Sequence, residues 1–159
     1  MGARAESLAK QFEAKAAEMT AVIKALSDAD WKKTTAAEKW SVGVTAHHVA
    51  GGHEGILGLV KTLAAGRSVP NFTKTTLDEG NAKHAREHAG CTKAETLALH
   101  EKGAAAAAAA VRGLSDAELD REGTVLTGMP VMTTQQAIEN ILINHVTDHM
   151  GSIRKTVGG

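Results

Sequence analysis

The chain has 159 residues, enough for one domain that buries roughly 68–70% of its unfolded surface without a covalent or metal staple. Eighteen Lys and Arg balance eighteen Asp and Glu, so the basic footprint of a phosphate-binding surface is missing and nucleic acid is not an expected partner. A lone Cys91 cannot form an internal disulfide, and no apolar run reaches the ~18 residues of a membrane span or resembles a signal-peptide core, so a cytoplasmic protein without a membrane partner is expected.

Aromatic residues make up only 3% of a chain that is 43% hydrophobic, so the core must be built from Ala, Leu, Ile and Val. Residues 5 to 26 place Leu8, Phe12, Ala16, Met19, Val22, Ile23 and Leu26 mostly three or four apart, between charged positions such as Lys10, Glu13 and Lys24. That spacing predicts an amphipathic helix, with Lys15 intruding on the apolar face and snorkelling its charge to water. A polar break follows from Asp28 to Thr35. Ser41 is placed to cap a second helix running to about Ala65. Residues 66 to 76 read as a loop, and a short polar helix is expected from Leu77 to His88, before Gly90.

Thr92 and Glu95 form a capping box that opens the next helix, which contains the alanine run Ala104 to Ala110. Alanine combines high helix propensity with little bulk, so this run should let a neighbouring helix approach closely. Residues 115 to 132 look like a long connection in which Thr124 to Leu126 could pair as a short strand. Thr133 and Gln136 supply a second capping box, and the last helix should end near Thr156. The expectation is an all-α single domain over 1–159: a four-helix bundle with an additional short helix and a long connection before the last helix.

Eight histidines are the compositional oddity. At about 100° per residue, with His145 at zero, Ile138, Ile141, Leu142, Val146 and Ile153 span about −40° to 100°, and His145 and His149 fall in the middle of that face. Spaced i, i+4, the two rings can reach one ion. Chance alone gives about 0.4 such pairs in a chain of this composition, so position on the apolar face carries more weight than spacing. Two core histidines bonded to backbone or water would satisfy the same pattern. His84 and His88 share the spacing but stand among Asp78, Glu79, Lys83, Arg86 and Glu87, and read as solvated.

On the second helix His47 points away from the apolar centre, whereas His48 and His53 flank it. Gly51, Gly52, Gly55 and Gly58 all lie within about 80° of the His48 direction, which suggests a close helix contact or room for a ligand beside that ring.

Trp40-Ser41-Val42, with His48 eight residues after the Trp, and His145-Val146-Thr147-Asp148-His149-Met150-Gly151 near the end of the chain resemble the DinB-like family of four-helix-bundle metalloproteins. Leu26-Ser27-Asp28-Ala29-Asp30-Trp31 and Leu77-Asp78-Glu79-Gly80-Asn81-Ala82 extend the likeness. The family includes thiol-dependent S-transferases and the N-terminal domain of mycothiol-dependent maleylpyruvate isomerase. The resemblance implies a metal triad of His48, His145 and His149.

Three neutral imidazoles would leave a divalent ion an open position able to activate water or a thiol. Zn2+ is the expected ion, with Ni2+ or Fe2+ also suited to these ligands. The implied function is a metal-dependent enzyme that activates a low-molecular-weight thiol, such as mycothiol or bacillithiol, for transfer to, or isomerisation of, a small electrophilic substrate. A hydrolase using metal-bound hydroxide and a non-enzymatic metal or small-ligand-binding protein are the alternatives, and a homodimer is allowed. Cys91, His53, Glu54 and Asp148 receive no role.

Overall fold

The structure is a computed structural model and describes residues 2–158. Four long helical segments form the bundle: α1 (Ala3–Ala25), α3 (Val42–Ala64), α5 (Lys93–Arg112), and a last helix that runs continuously through α7 (Thr134–Ala137), a π-helical stretch (Ile138–Ile143) and α8 (Asn144–Val157). Helix α1 buries Leu8, Phe12, Ala16, Met19 and Ile23, the stripe its sequence period dictates. Lys15 behaves as expected, its ammonium lying 3.3 Å from Glu18 at the surface.

Helix α5 packs against both α1 and α3, and α8 against the same two, so α1 and α3 stand diagonally opposite. The small residues of α5 make this packing close. A Cβ added at Gly103 would lie 3.3 Å from the His53 Cβ and 3.4 Å from the Ala50 carbonyl oxygen, while Ala107 and Ala108 are buried. Both expected capping boxes are present, Thr92 with Glu95 and Thr133 with Gln136, and Ser41 caps α3 by accepting from the Val44 N–H.

Three local expectations need correction. The polar break after α1 contains a short helix, α2 (Asp28–Lys32), opened by a Ser27–Asp30 capping box. The polar helix α4 (Lys74–Glu87) starts before Leu77, capped by Thr73. The long connection holds α6 (Asp116–Asp120) and a two-stranded ribbon that pairs β1 (Glu122–Gly123) with β2 (Met132–Thr133), not a strand at Thr124 to Leu126. Thr124 and Thr127 bond instead to the loop after α3: the Val69 N–H donates to the Thr124 carbonyl, and the Thr127 N–H to the Phe72 carbonyl. Gly123 lets the ribbon approach α3 and the loop after it, because a Cβ there would lie 2.6 Å from the Leu63 Cδ2 and 2.7 Å from the Arg67 carbonyl oxygen.

Candidate metal centre

Consecutive residues on a helix point about 100° apart, so His47 and His48 of α3 must serve different neighbourhoods. His48 faces α8. Its Nε2 lies 2.9 Å from the His145 Nε2, and one nitrogen from each of His48, His145 and His149 falls within 4.8 Å of the others. Two imidazoles on one tetrahedral ion with bonds of 2.0–2.1 Å would have nitrogens roughly 3.3 Å apart, so the spacing suits a shared ion after a small adjustment.

The core stripe of the last helix is Ile138, Leu142, Val146, Met150 and Ile153, and His145 and His149 lie at its edge rather than in its middle. The buried Met150, at about 140° on the scale that puts His145 at zero, draws the stripe away from the two histidines. At the edge of the stripe, both half-buried rings face a cavity instead of being enclosed by the core.

Each ring is held in a different way. His149 Nδ1 donates to Glu38 Oε1 at 2.9 Å, and the other oxygen of Glu38 accepts from the Ser152 hydroxyl at 2.6 Å. A carboxylate on one imidazole nitrogen fixes the ring and leaves its other nitrogen free to ligate. Bonds from Ser152 and His149 hold Glu38 below the usual carboxylate range, against the upward push of its partial burial.

His145 occupies a slot made by a glycine: a Cβ added at Gly52 would lie 2.7 Å from the His145 Cε1. His48 packs edge-on against Trp40, with ring centroids 5.1 Å apart. Burial, reinforced by neighbouring histidines, lowers His48 to about 4 and His145 to about 2, so both are neutral at ordinary pH and available as donors. The Nδ1 of His145 is buried without a hydrogen-bond partner.

The three rings border a cavity of about 670 Å³, whose remaining wall is largely apolar and includes Ile56, Leu59, Phe72, Leu77 and Leu126. Gly55 also lines it, and a Cβ there would meet nothing within 4 Å. The α3 glycines therefore serve both purposes foreseen for them: Gly52 admits a ring, and Gly55 keeps space open.

Glu38 was not apparent from sequence, since it belongs to neither helix of the triad. Its loop returns on itself, with the Thr35 N–H donating to the Trp40 carbonyl at 2.8 Å and the intervening Lys39 at φ 62°. His53, the other residue left open beside His48, is fully buried elsewhere and lies 2.9 Å from the His100 Nδ1. Glu54 and Asp148 are exposed. Burial pushes the Cys91 thiol up, which disfavours a thiolate there.

His84 and His88 are not solvated as expected: both are half-buried and gather with the buried His47 on the adjoining face of α3. Their own helix supplies only Leu77 and alanines as apolar neighbours, and His47 of α3 stacks on both rings.

Bundle, cavity and clustered imidazoles together define a four-helix-bundle protein equipped with donors for a transition-metal ion. Residues 11–153 match the model of the DinB superfamily, and the chain belongs to that family. Among solved structures it is similar to YfiT from Bacillus subtilis, described as a probable metal-dependent hydrolase with an unusual four-helix bundle topology. The TM-score is 0.75 at 15% identity, covering 99% of this chain and 90% of the other. It is also similar to the mycothiol-dependent maleylpyruvate isomerase, with a TM-score of 0.75 at 14% identity, covering 96% of this chain. The match spans 63% of the isomerase's length. No curated protein matches the sequence. Among the described residues no helix is long and apolar enough to cross a membrane.

Proposed function

We propose that this protein is a metal-dependent enzyme that activates a low-molecular-weight thiol for transfer to, or isomerisation of, a small electrophilic substrate, with the ion held by His48, His145 and His149. The observation that carries this reading is the convergence of three imidazole nitrogens at one wall of a largely apolar cavity of about 670 Å³. That volume lies in the range of small-molecule sites.

A divalent ion on three neutral ligands supplies a Lewis acid with an open position, lowering the pKa of a thiol or water bound there. Zn2+ suits the donors best, with Ni2+ or Fe2+ as substitutes. The chain's own residues do the rest. Glu38 fixes the His149 ring, Gly52 seats His145, and Trp40 braces His48. Ile56, Leu59 and Phe72 offer an apolar surface to the electrophile and exclude water from it. No thiol of the chain is needed, so the nucleophile comes from outside: mycothiol, named for one structural neighbour, or bacillithiol.

A metal-dependent hydrolase is the second reading, favoured by the fold likeness to YfiT over nearly the whole of both chains. Zn2+-loaded protein incubated with mycothiol, bacillithiol, glutathione or coenzyme A and a panel of small electrophiles tests the two. Thiol consumption that requires both metal and thiol is expected. Ester or amide cleavage without thiol, from protein inert with every thiol, would replace the first reading with the second. Saturable ligand uptake with no product would make the protein a binder.

A further inference from the structure

The thiol chemistry leaves a second histidine cluster unused. His47 Nδ1 lies 2.8 Å from His84 Nε2, and the His88 ring is 4.1 Å from the His47 ring and 4.6 Å from the His84 ring, centroid to centroid. One nitrogen of each residue lies within 4.8 Å of the other two. His84 Nδ1 is buried and has no hydrogen-bond partner. Burying an imidazole nitrogen unpaired is costly, and His84 carries one inside a cluster of three rings.

The cluster is open to solvent on one side. His84 and His88 are half-exposed, which leaves an ion a way in and water a place to complete a tetrahedral shell.

The position of the cluster gives such an ion a consequence. Helix α4 carries His84 and His88, buries none of its residues fully, and packs on α3. Leu77 and Asn81 of the same helix line the cavity beside the first triad. A helix with so little core of its own is weakly attached, and helices of this kind open locally at low free-energy cost. The two clusters also meet, since the His84 ring stands edge-on to His48 at 5.6 Å.

We propose that His47, His84 and His88 form a second Zn2+ site, separate from the His48, His145 and His149 triad, whose ion fastens α4 to α3 and holds that wall of the cavity in place. The donor set is the argument: three imidazoles select a transition metal over Mg2+ or Ca2+. The site stands independently of what the first triad does.

The experiment is a Zn2+ titration by calorimetry, repeated with Co2+ by visible absorption, on the intact protein and two double variants, His84→Ala/His88→Ala and His145→Ala/His149→Ala. Two equivalents are expected for the wild type and one for each variant. Both α4 positions are half-exposed and Ala is the better helix former, so the first variant should fold. Amide exchange over residues 74–88 gives the second readout. Zn2+ should slow it at least about tenfold in the wild type and in His145→Ala/His149→Ala, but not in His84→Ala/His88→Ala.

A wild type that takes one equivalent, unaffected by the α4 substitutions, would overturn the proposal, as would two equivalents retained without His84 and His88. One equivalent lost with His84 and His88 would support the second site and sink the first.

Discussion

His47 and His48 are neighbours in sequence, yet each collects two more histidines under different mechanical conditions. His48 meets His145 and His149 across α3 and α8, two helices that each contribute a buried stripe to the common core. Its triad also has a carboxylate brace in Glu38 and a glycine slot at Gly52. His47 meets His84 and His88 on α4, which has no fully buried residue and no comparable carboxylate contact to a ring. On the two proposed sites, donor type sets what could bind, whereas the supporting elements set how rigidly the donors are held.

The strongest way to break this comparison is His145→Ala. It should remove the ion of the first triad and reduce metal-dependent turnover by about a thousandfold or more, measured as thiol consumption or ester cleavage together with elemental analysis. His84→Ala should stay within about tenfold of wild type, and Cys91→Ala should match it. Equal losses from His84→Ala and His145→Ala would erase the distinction between the triads.

The buried pair His53 and His100 belongs to neither triad and provides an acid test of the whole bundle. Burial lowers His53 to about 3, with the same direction at His100, while the unfolded chain protonates near 6.5. The folded state therefore binds fewer protons than the unfolded state between these values. Stability is full above about pH 6.5 and falls as pH drops toward 3, by at most about 1.4 kcal/mol per pH unit for each imidazole kept neutral. Urea midpoints measured on metal-free protein should hold from pH 7.5 to about 6.5 and decline from there to 4.5, less so in His53→Gln. A midpoint that rises on acidification would contradict the burial of neutral histidines.

Sequence periodicity located α1 and α3 because their apolar stripes repeat within the helix itself, the alanine run marked α5, and side-chain caps at Ser41, Thr92 and Thr133 marked three starts. What escaped the sequence depends on contacts between elements. His84 and His88 look solvated along α4 and become half-buried in the fold, where they gather on His47. Glu38 reaches His149 because a loop folds back, and no helical period reports such a turn. The glycine cluster pointed toward His48, but which glycine receives a ring depends on the placement of α8.

Gly52→Ala and Gly55→Ala sharpen the division between slot and cavity. The new methyl at position 52 would press on the His145 ring and weaken Zn2+ binding at the first triad by about 10–100-fold. At position 55 it meets nothing, so affinity should hold and helix propensity should add about 0.5–1 kcal/mol. Calorimetry and thermal melts on the two variants read both effects, and equal affinities would mean that His145 is not seated by Gly52. Glu38→Gln should cost about tenfold in Zn2+ affinity at the first triad, with the second triad unchanged in the same titration.

The smallest expected effect concerns the loop behind that carboxylate. Lys39 adopts φ 62°, which costs a non-glycine residue about 1 kcal/mol, between Glu38, bonded to His149, and Trp40, packed on His48. Two backbone bonds hold the turn, the Lys39 N–H to the Thr35 carbonyl at 3.1 Å and the Thr35 N–H to the Trp40 carbonyl at 2.8 Å, and the Thr35 hydroxyl also donates to the Trp40 carbonyl. Lys39→Gly removes the steric cost but gives the unfolded chain more freedom, so the two terms offset and stability should rise by no more than about 1 kcal/mol. Zn2+ affinity should be unchanged, because the backbone bonds that aim Glu38 survive the substitution. Lys39→Val places a β-branched residue at positive φ, where strain should open the turn and weaken the first triad by severalfold while sparing the second. Parallel melts and titrations on these two variants would show whether the geometry of this turn reaches the metal through Glu38. Identical Zn2+ affinity in both would separate the turn from the site.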